Sequence, residues 1–194
     1  IASCLVGSEM CIRDRFPTVL GSKSVAPLQM AGAYATVANN GVYCEPRVID
    51  RVIGENGAEI TPPAQNCSQQ LTPEVAATAA FALRGVMEGN GTGTRANPFD
   101  GTQLIGKTGT AEKEHTMLVE SSTKVTTAVW VGNIDGRVPL NDFRNGDGTR
   151  LGDIRYGLAR AIQGAANAVY PADQFPRPDD KLVRQVLTLS LIHI

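Results

Sequence analysis

Apolar residues return at helical spacing soon after a turn-rich segment near the start of the chain. One stripe stands at positions i, i+4, i+7 and i+8: Met30, Tyr34, Val37 and Ala38. Ser24 can cap such a helix, Pro27 suits its first turn, and 39–41 (Asn-Asn-Gly) tolerates positive φ. The pattern predicts a core helix that ends before Asn39.

Two further helices are predicted by the same spacing. In the first of these, Thr72 is a suitable cap, Pro73 takes the first position and Glu74 favours the positive helix end. Its apolar stripe is Val75, Ala79, Ala82, Leu83 and Val86. The stripe of the last helix is Ile154, Leu158, Ala161, Ile162, Ala165 and Val169. We expect both stripes to face the core.

Alternating and β-branched residues indicate strands elsewhere. Residues 48–60 contain two apolar runs around Asn56-Gly57, which predicts a hairpin. Residues 126–132 (TTAVWVG) predict a strand in which Trp130 is core. The glycine-rich segments 91–96 and 141–148 are predicted as a connector and a turn, because the second lacks the twelfth-position carboxylate of a calcium loop.

Composition indicates one packed domain or most of one. Of 194 residues, 42% are hydrophobic and 19% are charged, which is not the composition of a disordered chain. Eighteen Lys and Arg residues against nineteen Asp and Glu residues leave no positive field for nucleic acid. No apolar stretch approaches the roughly 20 residues that cross a bilayer.

The two ends of the chain share an unusual relationship. The codons that can encode 10–15 (MCIRDR) have a reverse complement that reads as 189–193 (LSLIH). One oligonucleotide, resembling the transposon adapter of sequencing libraries, explains both. We therefore expect residues 1–15 and 189–194 to be translated adapter and 16–188 to be a piece of a longer gene product.

Few metal-ligating residues remain between these ends. Cys44 and Cys67 are two of the four cysteines, and His115 is one of the two histidines. No Cys-x-x-Cys or His-x-x-x-His spacing occurs, so we expect no metal site and no cofactor. From spacing alone, a Cys44–Cys67 disulfide and two unpaired thiols are equally compatible with the sequence. His115 is expected in a solvated loop.

Residues 101–108 (GTQLIGKT) fit the phosphate-binding loop pattern G-x-x-x-x-G-K-[ST]. That loop requires a preceding strand and a helix that starts at the lysine. Apolar Leu104-Ile105 occupies the place of the flexible loop, and a further strand rather than a helix follows. A nucleotide-binding protein is therefore the weakest alternative.

The overlapping tripeptide Lys107-Thr108-Gly109 is a signature of penicillin-binding proteins and class A β-lactamases. In an extended strand, Thr108 and Thr110 project to one face, where both hydroxyls can bind one carboxylate, while Lys107 projects to the other. At a sheet edge, a peptide could add beside this strand and the Thr110 N–H could face an oxyanion. Taken alone, the tripeptide is better explained as an ordinary strand with one exposed lysine.

The order of several motifs carries more information than the tripeptide. They are LGSKSVAPLQMAGAYATVANNG (20–41), LTPEVA (71–76), GTGTRA (91–96), GKTGTA (106–111), TTAVWVGN (126–133) and DQFPRPDD (173–180). In this order they resemble the C-terminal half of the transpeptidase domain of penicillin-binding proteins of the bifunctional class A type, with cysteine positions like those of actinobacterial members. The resemblance implies an α+β fold, an antiparallel sheet flanked by helices, with an incomplete N-terminal half.

The resemblance also implies residue roles. Lys107 would orient protons and charge around a nucleophilic serine, and Thr108, Gly109 and Thr110 would line the site for the terminal carboxylate of a D-Ala-D-Ala stem peptide or a β-lactam. The Thr110 N–H would contribute to an oxyanion hole. Cys44 and Cys67 would form a disulfide. The parent protein would be a D,D-transpeptidase anchored on the extracytoplasmic face of the membrane, within a cell-wall synthesis complex.

Two elements of the family pattern are missing. No Ser-x-x-Lys or Ser-x-Asn precedes Lys107, and 121–124 (SSTK) follows it, in a predicted turn rather than at the start of a buried helix. We therefore expect this chain alone to be inactive. Met117, Leu118 and Glu120 stand where relatives commonly carry an aromatic residue and a glycine. A β-lactamase or D,D-carboxypeptidase of the same fold is the main alternative.

Overall fold

A computed structural model of the chain describes residues 24–62 and 64–181. The expected adapter segments 1–15 and 189–194 lie outside these residues. The helices are α1 (Pro27–Ala38), α2 (Pro73–Met87) and α3 (Ile154–Val169). The strands are β1 (Val42–Cys44), β2 (Val52–Ile53), β3 (Glu59–Ile60), β4 (Cys67–Gln69), β5 (Ile105–Ala111), β6 (His115–Ser121) and β7 (Thr126–Gly132). Short 3-10 turns occupy Thr94–Ala96, Leu140–Asp142 and Leu151–Asp153.

Helix α1 begins two residues later than a Ser24 cap would require. Ala26 is the N-cap residue, and its N–H donates to Gln29 Oε1 at 3.2 Å, so the Ser24 prediction was wrong. The predicted end is confirmed, because Asn40 and Gly41 both have positive φ. A side chain at Gly41 would collide with the Leu71 carbonyl oxygen, 2.1 Å from an added Cβ. Only glycine allows the two segments to approach so closely.

The predicted hairpin is present but shorter than residues 48–60. Strands β2 and β3 pair antiparallel, Gly57 has a φ of 77°, and Asn56 Oδ1 accepts a hydrogen bond from the Ala58 N–H at 3.1 Å. Val48 and Ile49 lie outside the strands and are exposed, so the apolar run extends beyond the paired residues.

A second small ribbon pairs β1 with β4. Cys44 and Cys67 are direct partners in its register, and the structure joins them in a disulfide. The two cysteines are 23 residues apart in sequence, so this bond closes the loop that contains the β2–β3 hairpin.

The main sheet is antiparallel and has the order β5-β6-β7. Lys107 pairs with Val119 and Thr108 with Leu118, which fixes the register of β5 on the central strand. Strand β5 therefore has one paired edge, and within residues 24–62 and 64–181 no strand pairs with its other edge. Mixed helices and antiparallel sheets confirm the expected α+β class.

Helices cover both faces of this sheet. On one face, α3 and the end of α2 build a core from Met87, Ala96, Leu104, Leu118, Val129, Tyr156 and Ala159. On the other face, the helices α1 and α2 contribute Ala38 and Ala80, which pack with Ile105 and Phe175. Leu104, directly before β5, and Ile105, its first residue, thus face different cores, as an extended backbone requires.

The predicted stripe of α2 is confirmed in part, because Leu83 and Val86 pack against the two cores, whereas the predicted stripe of α3 is wrong. In α2 the buried residues are Ala76, Ala77, Ala80 and Met87, whereas Val75 is 51% exposed. In α3 the buried residues are Arg155, Tyr156, Ala159, Gln163 and Asn167, and Leu158 and Ile162 are about half exposed. The reason is that polar side chains of α3 find partners against the sheet, so hydrophobicity alone does not select its inner face. Trp130, predicted as core, is 40% exposed.

The turn predicted at 141–148 is present. Residues 141–148 form a turn closed by a bridge between Arg144 and Arg150.

Among the residues described, no group of three His, Cys, Asp or Glu side chains could hold a metal ion. None of the helices in that part of the chain is long and apolar enough to cross a membrane.

Candidate functional site

The Lys107–Thr110 tetrad lies in the middle of β5, as predicted, on the unpaired edge of the sheet. Lys107, Gly109 and Thr110 are exposed, and Thr108 is half-buried. The Lys107 ammonium donates to the carbonyl oxygen of Thr108 at 2.8 Å. The tetrad therefore presents one cation and two hydroxyl groups to solvent.

The loop before β5 also reaches the tetrad. Thr92 Oγ1 lies 2.9 Å from Thr108 Oγ1, within hydrogen-bonding distance. The Gly93 N–H donates to the Val86 carbonyl oxygen at 2.8 Å, and a Cβ on Gly91 would lie 2.2 Å from that oxygen. Residues 91–96 thus fold tightly against the end of α2 and are more than the plain connector that we expected. Their two glycines were the available signal.

Helix α3 contributes a residue that sequence reasoning missed. Arg155 Nη1 donates to the Gly109 carbonyl oxygen at 3.2 Å and lies 3.4 Å from Thr110 Oγ1. The side chain is buried, and its Nη2 donates to the Tyr156 hydroxyl at 2.9 Å. An arginine inside a helical pattern carries no sequence signal for a strand contact 46 residues earlier.

Two glycines of β5 have different surroundings. A Cβ on Gly106 would lie 2.4 Å from Met87 Sδ and 2.8 Å from the Val119 carbonyl oxygen, so this residue is small for packing reasons. A Cβ on Gly109 would meet nothing closer than the Met117 carbonyl oxygen at 3.9 Å. Gly109 therefore leaves open space at the edge of the strand.

The Ser121–Lys124 motif is placed in the turn between β6 and β7, as expected. Ser121 is fully buried, and its Oγ contacts the Ser122 carbonyl oxygen at 2.7 Å and Thr126 Oγ1 at 2.6 Å. The Lys124 ammonium instead pairs with Asp173 at 3.0 Å. Without a basic partner or access to solvent, Ser121 is not an activated nucleophile.

Glu120 is a buried carboxyl on the central strand. Neither of its oxygens has a hydrogen-bond partner among the described residues. Burial raises the pKa of Glu120 to about 8, and attraction to Arg160 offsets only part of this effect. The residue is therefore largely protonated at neutral pH, although sequence alone suggests an ordinary charged side chain.

His115 does not lie in a solvated loop. It begins β6, and its ring stacks on Trp130 with a centroid distance of 5.9 Å and an interplanar angle of 20°. That prediction was wrong because strand β6 starts earlier than the polar sequence suggests. The pair is half-exposed at one end of the sheet.

The phosphate-binding loop alternative is contradicted by the backbone. Lys107 and Thr108 lie inside the strand Ile105–Ala111, and strand β6 follows it. No helix begins at Lys107, so its neighbouring N–H groups cannot form the anion cradle of such a loop.

Residues 14–135, more than half of the chain, match the family model of the penicillin binding protein transpeptidase domain. The chain belongs to this family. The matched region includes α1, both small ribbons and the whole β5–β6–β7 sheet. The resemblance based on motif order is thereby confirmed for this transpeptidase family.

Several curated relatives are penicillin-binding proteins 1A. The protein from Clostridium botulinum is 33% identical over 134 residues, which are 68% of this chain and 16% of that protein. The Aquifex aeolicus protein is 27% identical over 93% of this chain and 24% of its own length. The Mycobacterium tuberculosis protein is 28% identical over 79% and 20%. The chain thus spans a quarter or less of these relatives.

Solved structures agree with this family. The penicillin-binding protein PonA1 of Mycobacterium tuberculosis aligns with a TM-score of 0.72 and 25% identity, covering 84% of this chain and 44% of that one. Penicillin-binding protein A of the same organism, solved as an imipenem acyl-enzyme complex, aligns with a TM-score of 0.57 and 26% identity, covering 77% and 33%. The second protein therefore forms a covalent β-lactam adduct within this fold.

Proposed function

We propose that this chain is part of a peptidoglycan D,D-transpeptidase and that Lys107–Thr110 binds the terminal carboxylate of a D-Ala-D-Ala stem peptide or a β-lactam. In the reaction, a serine hydroxyl attacks the D-Ala-D-Ala amide carbonyl, the terminal D-alanine leaves as an amine, and an acceptor amine then displaces the serine. The serine proton passes to a base and on to the leaving amine.

One observation carries the proposal: the tetrad lies on a strand edge that no other described strand occupies. An extended peptide can add to such an edge by main-chain hydrogen bonds. The Thr108 and Thr110 hydroxyls then donate to its carboxylate, and the Lys107 ammonium provides a positive charge nearby. The Thr110 N–H of the same strand would stabilise an oxyanion.

We further propose that the nucleophile lies outside residues 16–188, which form the C-terminal half of the domain, with 1–15 and 189–194 being adapter. Two surfaces support an incomplete domain. The outer edge of β7 has no strand partner among the described residues, and α3 exposes Leu158 at 46% and Ile162 at 51%. The missing half would cover both surfaces, as apolar patches in soluble proteins generally require.

The parent protein would be anchored in the membrane through a segment upstream of this chain and act on its extracytoplasmic face. The Cys44–Cys67 disulfide supports an oxidising compartment, because disulfides are rare in the cytosol. Its partners would be peptidoglycan stem peptides and a cell-wall synthesis complex.

Labelling with a penicillin tests the proposal. We expect the full-length protein that carries this sequence to gain one covalent adduct by intact-mass analysis, on a serine outside residues 16–188. We expect the present chain to gain none. An adduct on Ser121 would overturn the proposed position of the nucleophile, and no adduct on the full-length protein would overturn the function.

A β-lactamase or D,D-carboxypeptidase would bind the same ligands through the same strand. These activities differ in the acceptor of the acyl group, which is water for hydrolysis and an amine for transfer. Incubating the full-length protein with a stem pentapeptide and an amine acceptor separates them. Cross-linked product supports the transpeptidase, and release of tetrapeptide alone supports the alternative.

A further inference from the structure

We propose that Arg155 is a positioning residue of the carboxylate-binding site: it fixes the Thr110 hydroxyl as a donor and supplies a buried positive charge to the ligand's carboxylate. The inference rests on the proposed function, because it assumes that Thr110 contacts an anionic ligand. It adds a residue of α3 to a site otherwise built from β5.

Three contacts fix the Arg155 guanidinium. Nη1 donates to the Gly109 carbonyl oxygen at 3.2 Å and lies 3.4 Å from Thr110 Oγ1, and Nη2 donates to the Tyr156 hydroxyl at 2.9 Å. The guanidinium carbon also lies 4.7 Å from the centre of the Tyr156 ring. A planar guanidinium held in this way has little freedom to turn away from the strand.

Arg155 is a buried cation with no counter-charge in the described part of the chain. The residue is 7% exposed, forms no ion pair with residues 24–62 or 64–181, and its Nε has no hydrogen-bond partner there. A buried charge without a partner is costly, so an anion beside it is stabilised.

The carboxylates closest in sequence to Thr110 and Arg155 are already paired with other arginines. Asp153 contacts Arg95 at 3.1 Å, and Glu114 and Glu112 lie 3.9 and 3.8 Å from Arg137. None of these acids is therefore a free counter-charge for Arg155. A ligand carboxylate bound at Thr110 would supply one.

The hydrogen-bonding capacity of a hydroxyl completes the argument. Arginine can only donate, so Thr110 Oγ1 must accept from Nη1. The single hydroxyl hydrogen of Thr110 then remains available to donate in another direction, towards the open strand edge. The distance of 3.4 Å is long, and we expect it to shorten when an anion draws the hydroxyl into position.

Matched ligands test this role. Acylation rate constants of the full-length protein are measured with a penicillin and with its methyl ester, which lacks the negative charge. We expect Arg155→Gln to lower the rate for the free acid at least about tenfold, as for loss of a charge-assisted hydrogen bond. The rate for the ester should fall less than about threefold, since the ester carries no charge for Arg155 to attract.

Two variants complete the design. Arg155→Lys keeps the charge but not the planar guanidinium that contacts Thr110, so we expect a preference for the acid between those of the wild type and of Arg155→Gln. Should the Gln variant not fold, a Lys variant whose rates for acid and ester fall by the same factor overturns the proposal. Arg84→Gln is the matched control, because Arg84 lies on α2, pairs with Glu88 at 2.9 Å and is not a contact of Thr110 or Arg155. It should leave the preference unchanged.

If Arg155→Gln lowered the acylation rate constants for the free acid and the ester by the same factor, Arg155 would have a purely structural role. That result would overturn this inference and leave the proposed function unaffected. Absence of acylation in the unmodified protein would instead overturn the proposed function. The two failures are therefore distinguishable.

Discussion

The hydroxyl oxygens of Thr92 and Thr108 lie 2.9 Å apart, which links the glycine-rich loop after α2 to the edge strand of the sheet. If Thr92 donates, the Thr108 hydroxyl is free to donate its hydrogen to a ligand. The loop thereby sets the direction of a hydroxyl that we place in the carboxylate-binding site.

Replacing Thr92 by valine should therefore weaken ligand binding without unfolding the protein. We expect Thr92→Val to lower the rate of penicillin acylation of the full-length protein by about 2- to 10-fold, the usual effect of one lost neutral hydrogen bond. Thr94→Val is a suitable control, because Thr94 Oγ1 contacts only the carbonyl oxygens of Glu88 and Gly89. An equal reduction in both variants would argue against a specific role of Thr92.

The two glycines of β5 should respond differently to alanine. Gly106→Ala places a methyl group against Met87 and the Val119 carbonyl oxygen and should reduce the free energy of unfolding by about 1–3 kcal/mol. The added methyl group of Gly109→Ala meets no close neighbour, so this variant should change the free energy of unfolding by less than about 0.5 kcal/mol. It should nevertheless lower the acylation rate, because the methyl group occupies space at the strand edge where the ligand would bind. Chemical denaturation and acylation rates check both expectations, and a destabilised Gly109 variant would contradict them.

Protonation of Glu120 should make stability depend on pH. The usual pKa of 4.5 applies to the unfolded chain and about 8 to the folded one, so between these values only the folded state keeps the proton. Stability should therefore be greatest below about pH 4.5 and decline as the pH rises through about 8, by on the order of a few kcal/mol in total from this group.

Thermal unfolding of the wild type and Glu120→Gln from pH 5 to pH 9 measures this effect. Glutamine cannot ionise, so the variant should lose much less stability over that range. Glu59→Gln, an exposed residue of β3, is the control and should behave like the wild type. The same pH dependence in all three proteins would contradict the account.

The Cys44–Cys67 bond should stabilise the peripheral ribbons. Replacing either cysteine by serine opens a loop spanning 23 residues and should cost about 3 kcal/mol on the chain-entropy account. Intact mass with and without reductant shows whether the wild type carries the bond, and urea unfolding gives the cost. An unchanged midpoint in the serine variants would show that the bond contributes nothing.

Local sequence was sufficient for much of this fold. The Asn56-Gly57 turn, the Thr72 cap of α2 and the β5 strand are each specified by neighbouring residues, and the structure confirms them. The buried face of α3 and part of that of α2 were predicted wrongly, because they depend on partners distant in sequence. Gln163 is buried since it accepts a hydrogen bond from Thr127 at 2.7 Å, which no local periodicity indicates.

The candidate site divides in the same way. The Lys107–Thr110 tetrad could be identified from motif order, because its residues are contiguous. Thr92, Glu120 and Arg155 reach their positions through the packing of a loop, a strand and a helix, and their residue types have common roles on a protein surface. Only tertiary structure places Thr92 and Arg155 beside the tetrad.

The most direct test of the central claim is the second-order rate constant for acylation of the full-length protein by a penicillin, compared between wild type and Thr110→Val. Valine keeps the shape of threonine and removes the hydroxyl that we assign to the ligand's carboxylate. We expect the rate constant to fall about 10- to 100-fold with the fold intact. An unchanged rate constant would show that the edge of β5 does not bind the carboxylate.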